Sequence, residues 1–199
     1  MKRIALVLGV VVALILLVGA LVASSYNHLV SLDQAVQAQW AQVENVYQRR
    51  ADLVPNLVET VKGAANFEQQ TLTAVTDARS QVGKVTVGTD VIDDPASFQR
   101  FQQAEDQLSS SLARLLAVSE AYPQLSATQN FRDLQAQLEG SENRITVERQ
   151  RFNEAALAFN TSRDSFPTAL VAGFFGGRFN EKPYFEATPG AETAPVVKF

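Results

Sequence analysis

Residues 26–50 read YNHLVSLDQAVQAQWAQVENVYQRR. Apolar side chains fall at Tyr26, Leu29, Val36, Trp40, Val43 and Tyr47, and Asp33 and Arg50 occupy the slots that complete the series. Steps of three and four residues return a side chain to one face of an α-helix, so this stretch predicts a helix with an apolar seam. Three further seams follow. Val54, Leu57, Val61, Ala65, Leu72, Val75 and Val82 form the second, with Glu68 and Arg79 on it. Phe98, Phe101, Leu108, Leu112, Leu115, Ser119 and Tyr122 form the third, with Glu105 in the gap. Phe131, Leu134, Leu138, Ile145, Phe152, Ala155 and Phe159 form the fourth, interrupted by Ser141 and Glu148. No segment sustains the alternation of a strand. The expected class is all-α: an antiparallel up-and-down four-helix bundle of long helices over residues 26–166.

Breaks are expected where the backbone chemistry demands them. Pro55 removes a donor and disfavours a helical Val54, so a separation or kink is predicted there. Gly83 to Asp94 reads as a loop, with Asp94 as N-cap and Pro95 in the first helical position. Tyr122-Pro123 stops the third helix, Ser126 is the expected cap of the fourth, and Ser165-Phe166-Pro167 closes it.

Before the first seam, Ile4 to Ala23 contains no charged or polar side chain. About 20 apolar residues in a helix span a hydrocarbon core of roughly 30 Å. Residues 1–25 therefore read as an N-terminal transmembrane anchor contacting the lipid bilayer through Ile4–Ala23. A cleaved signal peptide competes, since Ala23-Ser24-Ser25 offers a small-residue site, but the run exceeds the usual apolar core of such peptides. Lys2 and Arg3 place the N-terminus in the cytoplasm and the body outside the bacterial inner membrane, the alternative being a cytoplasmic body. After Pro167, Ala169–Phe179 (ALVAGFFGGRF) reads as a strap over the bundle or a membrane-touching segment. The Pro-containing remainder from Asn180 reads as a mobile tail, so residues 167–199 are strap and tail.

The chain has 199 residues, no Cys and one His, with net charge −4. Without Lys2 and Arg3 the 17 basic residues fall to 15 against 21 acidic ones, net −6, so the body is acidic. Thiol chemistry and Cys-ligated metals are excluded, and His28 alone cannot build a metal site. No phosphate-binding or nucleophile-elbow motif occurs, so no cofactor, catalytic residue, metal or small-molecule substrate is implied. Arg49-Arg50 is too small a basic spot for nucleic acid. Asp33, Glu68, Arg79, Glu105, Asn143, Glu148, Asn153 and Asn160 are expected to form a buried polar layer in which acids pair with arginines and asparagines bond across the bundle. The outward glutamines Gln34, Gln37, Gln39, Gln42, Gln102 and Gln103 suit contact with other protein.

Several strings resemble the bacterial LemA family. They are Tyr26-Asn27-x-Leu29-Val30-x-Leu32, Gln39-Trp40-Ala41-Gln42-Val43 and the run from Gln48 through Arg49-Arg50-Ala51-Asp52-Leu53-Val54-Pro55-Asn56-Leu57 to Val58. Leu115-Leu116-Ala117-Val118-x-Glu120-Ala121-Tyr122-Pro123, Asn130-Phe131-x-x-Leu134-Gln135 and Glu142-Asn143-Arg144-Ile145 continue the match, which Phe152-Asn153 and Phe159-Asn160 complete. The resemblance covers roughly Ile4 to Phe185. Phe152 and Phe159 depart from a common Tyr, and Ala64-Ala65-Asn66-Phe67-Glu68 from a Tyr- and His-containing pattern. The resemblance implies a membrane-anchored antiparallel helical bundle without established enzymatic activity. Family members have been associated with membrane remodelling in magnetosome formation and with neighbouring membrane metalloproteases.

In such a bundle Arg49, Arg50, Asp52 and Asn56 would share a distal tip with Glu120, Tyr122 and Asn130, as turn-fixing groups or as a surface for a protein partner or a second copy. The first helix would carry Arg50 roughly 37 Å from the bilayer. The expected function is a non-enzymatic scaffold or adaptor at the cell envelope, the alternative being a protein that oligomerises on the bilayer and remodels it.

Overall fold

A computed structural model describes residues 2–63, 68–85 and 89–186. The described residues are helical, with no strand among them. Helix α1 runs from Lys2 to Lys62, α2 from Gln69 to Val85, α3 from Pro95 to Ser119, α4 from Pro123 to Ser126, α5 from Gln129 to Asp164 and α6 from Thr168 to Phe174. Short 3-10 turns occupy Thr89–Ile92 and Gly176–Phe179. The apolar run at the start of α1 is long enough to cross a membrane, and none of its side chains is buried in the fold.

The expected separation at Pro55 does not occur, since α1 is continuous through it. The first seam continues through it: Tyr47, Arg50, Val54, Leu57 and Val61 are all buried at the same three-and-four spacing. Pro55 lies on the exposed side of α1, so its ring meets solvent. A proline in a helix leaves the carbonyl four residues earlier without its donor. That carbonyl belongs to Ala51, and it accepts a hydrogen bond from Arg79 Nε of α2 at 2.9 Å. The second predicted seam is thus divided between two elements. Its first part is the end of α1 and its second is α2, with the reversal after Gly63. Ala65 and the string Ala64–Phe67 lie outside the described residues.

The other boundaries follow local chemistry. Asp94 caps α3, accepting from Ala96 N and Ser97 N at 3.3 and 3.0 Å, with Pro95 in the first turn. The stretch read as a loop from Gly83 keeps Gly83–Val85 in α2, and Val91 and Ile92 of the 3-10 turn are buried in the core; residues 86–88 are not described. The cap of α5 is Thr128, whose hydroxyl accepts from Phe131 N, and not Ser126. Ser126 ends the single turn of α4, where its hydroxyl donates to Ser119 O at 3.1 Å. The fourth helix closes at Ser165, as its sequence indicates.

Contacts fix the helix directions. Trp40 meets Phe101 and Phe152, Tyr47 meets Phe101 and Arg149, and Arg50 meets Glu105 and Glu142. Numbers on α3 therefore rise with those on α1, and numbers on α5 fall. Helix α2 lies against α1 and α3. The core has two parts. One gathers Trp40, Tyr47, Phe98, Phe101, Phe152, Phe159, Phe179 and Phe185. The other gathers Val54, Leu57, Leu72, Val75, Leu108, Leu115, Phe131 and Leu138.

The segment after α5 departs most from expectation. Residues 180–186 are extended chain laid on the body, with Lys182 and Phe185 buried, so the tail read as mobile from Asn180 is fixed at least to Glu186. The remainder, including Pro189, Pro195 and the terminal Phe199, lies outside the described residues.

Candidate functional site

Arg50 points into the protein between α3 and α5. It and Glu105 are each only 1% exposed. Arg50 Nη2 donates to the Glu105 carboxylate and to the Glu105 carbonyl at 3.2 Å. Its Nη1 donates to Glu142 Oε1 at 2.6 Å and to Ser109 Oγ at 2.5 Å. The guanidinium also stands 5.1 Å from the centre of the Tyr47 ring. On the far side of that ring network, Arg149 Nε donates to Tyr47 Oη at 2.5 Å and Arg149 Nη2 reaches Asp106 Oδ1 at 3.3 Å. Burial raises the Glu105 carboxyl despite the attraction of Arg50. Burial alone would lower Arg50, but Glu105 and Glu142 outweigh it and hold the guanidinium charged. Tyr47 is pushed up to about 12, chiefly by burial, so it stays neutral.

The cleft of about 260 Å³ beside this cluster is lined by Arg50, Asp106, Ser109, Ser110, Glu142, Ile145, Thr146 and Arg149. Its charged groups are already committed to one another, which suits holding three helices in register more than holding a substrate.

A second polar arrangement fastens the C-terminal chain. Asn160 Nδ2 donates to Lys182 O and Asn160 Oδ1 accepts from Lys182 N, both at 2.9 Å. Asn153 repeats this with Phe185, at 3.0 and 2.9 Å. Each side-chain amide pairs with the backbone as a neighbouring strand would. Seven helical residues advance about 10 Å, and three extended residues advance about the same distance, so the two spacings agree. The ammonium of Lys182 lies 2.9 Å from Asp33 Oδ1 and 2.5 Å from Asp93 Oδ1. Asp33 therefore pairs with a lysine from the C-terminal segment and not with an arginine.

The remaining residues singled out in the sequence are dispersed. Glu68 is half-buried near Arg114, 3.7 Å away, and accepts from Thr71 Oγ1. Arg79 serves the Ala51 carbonyl. Glu148 pairs with Arg151 one turn along its own helix, and Asn143 is exposed, as is Glu142 before it, whose carboxylate nevertheless reaches Arg50. The two corners expected to share a tip are separate. Because α1 continues past Pro55, Tyr122 and Asn130 line a groove of about 660 Å³ with Thr60 and Gly63. Arg50 lies ten residues short of Thr60, about 15 Å along the axis. Arg49, Asp52 and Asn56 face solvent on α1, Glu120 and Asn130 are exposed, and Tyr122 is half-buried. Ser109, Arg149 and Lys182 were not singled out in the sequence. Lys182 carried one signal, an isolated base between Asn180 and two aromatic residues.

The model of the LemA family matches residues 39–199. The chain belongs to the LemA family. The matched range opens one residue before Trp40 and includes the C-terminal segment held by Asn153 and Asn160, so the strap is part of the family unit; Ile4–Ala23 precede it. The chain is also similar to Magnetosome protein MamQ 1 and MamQ 2 of Paramagnetospirillum magneticum, each 24% identical over 188 residues, covering 86% of this chain and 68% of the relative. Magnetosome protein MamQ of Magnetospirillum gryphiswaldense shows the same identity and coverage. Within this LemA-family chain the cluster around Arg50 joins α1, α3 and α5, and the strap joins α1 and α5 again through Lys182 and the two asparagines.

Proposed function

We propose that this LemA-family protein is a non-enzymatic, membrane-anchored scaffold. Its helices α1, α2, α3 and α5 act as an antiparallel up-and-down bundle standing on the Ile4–Ala23 anchor, with the body outside the inner membrane. The observation that supports this reading most directly is the commitment of the buried charges. Arg50, Glu105, Lys182 and Asp33 are bonded to one another or to backbone across elements. Charges used in this way fix geometry. The partner surface is then the distal end, where Asn56, Glu120, Tyr122 and Asn130 stand near or beside the groove at Thr60 and Gly63. A photo-crosslinking residue at Asn130 in native membranes should yield one discrete product, with a partner or a second copy. The same residue at Glu139, exposed on the side of α5, should not. A chain that stays monomeric and uncrosslinked at both positions overturns the scaffold. A reporter fused at Phe199 that is active only in the cytoplasm overturns the topology.

The similarity to proteins called magnetosome proteins favours a second reading, an oligomer that bends the bilayer. Full-length protein reconstituted in liposomes should then deform them, and unchanged vesicles exclude it.

A further inference from the structure

The segment that follows α5 has two apolar faces, and only one is covered. Thr168, Val171 and Ala172 of α6 pack on the body, and Phe179 is buried beyond it. Leu170 and Phe174, one turn apart on the opposite face, are 68% and 85% exposed, and Phe166 just before the helix is 83% exposed. Three large apolar residues on one short segment form an uncovered patch.

Its location identifies the occupant. Phe175 and Phe179 pack on the ring of Tyr26, with centroids 4.8 and 5.5 Å away. Tyr26 is three residues beyond Ala23, about 4.5 Å along the helix axis. The headgroup layer on each side of a bilayer is about 5–7 Å deep. If Ile4–Ala23 fill the hydrocarbon core, Tyr26 stands in that layer, where tyrosine is favoured. The segment fastened to it therefore stands at the same level. Exposed Arg178 lies over the Tyr26 ring at 6.0 Å, a cation at headgroup depth above an apolar patch.

We propose that Phe166, Leu170 and Phe174 form a foot that enters the boundary of the same bilayer that the anchor crosses. The proposal rests on the reading of Ile4–Ala23 as a membrane anchor. A second contact beside the anchor holds the body at a fixed tilt, which a single helix leaving the membrane does not do.

The chain has no cysteine, so single-cysteine variants carry one label without background. Full-length Phe174→Cys and Leu170→Cys, labelled with an environment-sensitive fluorophore, are placed in phosphatidylcholine–phosphatidylglycerol nanodiscs at one chain per disc. Val12→Cys reports on the anchor and Glu139→Cys on the solvated body. Both test positions are exposed, so labelling leaves the core intact. Lipids spin-labelled near the headgroup should remove most of the emission at 170 and 174, lipids spin-labelled deep in the acyl chain should remove that at 12, and both should leave 139 unchanged, while aqueous iodide should quench 139 alone. Quenching by lipid at 12 but not at 170 or 174 overturns the foot and leaves the anchor standing. Loss of lipid quenching at 12 as well overturns the anchor reading itself. Protection at 174 that appears only in discs with two chains assigns the patch to a second copy and overturns the foot.

Discussion

The two halves of the body are filled and closed differently. Toward the apolar N-terminal run, Trp40 is surrounded by Phe98, Phe101, Phe152 and Phe185, with ring centres 5.1 to 6.3 Å away. Beyond Arg50 the core is mainly Val and Leu. The distal half is closed by α2, a helix with its own apolar face of Leu72, Val75, Ala78 and Val82. The proximal half is closed by extended chain that contributes the buried Phe185 and Lys182. An extended segment offers few inward side chains, so the helices it covers supply large rings and polar hooks. Between the halves sits the Arg50 cluster. Closure by a helix needs periodicity, whereas closure by a strap needs specific partners.

Breaking the cluster between the halves should have the largest effect. Arg50→Met leaves Glu105 charged and buried without its cation, at an expected cost of about 3–5 kcal/mol. Arg50→Met combined with Glu105→Leu removes both charges and should recover most of that loss. Denaturant unfolding of the unaltered protein and of the two variants measures it. A small loss in Arg50→Met alone would mean that the two halves are one core with an incidental ion pair.

The next effect is visible only in alkali. Tyr47 titrates at about 12 in the folded protein against an ordinary 10. Above pH 10 the unfolded chain releases this proton and the folded chain keeps it. The folded form then binds more protons, so stability is full below pH 10 and falls as pH rises towards 12, by roughly 3 kcal/mol at most. Tyr47→Phe should lose that part of the slope while keeping the ring against Phe101. Unfolding midpoints of both proteins across this range decide the matter, and equal slopes would refute the buried phenol.

Asn160→Ala tests the strap. It removes two hydrogen bonds to the Lys182 backbone and leaves a buried N–H and C=O unpaired, costing about 1–3 kcal/mol. Hydrogen exchange should accelerate over residues 180–186 and in the aromatic half, with α2 unchanged. Uniform acceleration would show that the halves unfold as one.

Most of the helical architecture was legible because burial repeats every three or four residues. Leu29 to Val61 can be read off the sequence once Pro55 is allowed to remain inside the helix. The capping of α3 by Asp94 was legible too, since the cap and its proline are adjacent. What escaped was pairing across distance. Nothing local marks Glu142, and not its neighbour Asn143, as a partner of Arg50, or Arg149 as the partner of Tyr47. The strap escaped because it has no period: its anchoring signal is divided between Asn153 and Asn160 on α5 and Lys182 and Phe185 far along the chain. Of the acids expected in a polar layer with arginines, Glu105 meets Arg50 and Asp33 meets Lys182.

The smallest effect tests the misread proline and belongs to the distal half. Pro55 deprives the Ala51 carbonyl of its helical donor, and Arg79 supplies one from α2. Arg79→Met should cost about 1 kcal/mol, the net worth of one hydrogen bond. Pro55→Ala restores a backbone N–H at position 55, which can donate to Ala51 within α1. In that background Arg79→Met should cost little, so the two substitutions should couple by about 0.5–1.5 kcal/mol in a double-mutant cycle. Additive effects would mean that Arg79 stabilises the distal half through its packed stem, and the proline would be tolerated only because its face of α1 is solvated. A coupling within that range would instead make α2 the element that lets the first seam run unbroken past Pro55.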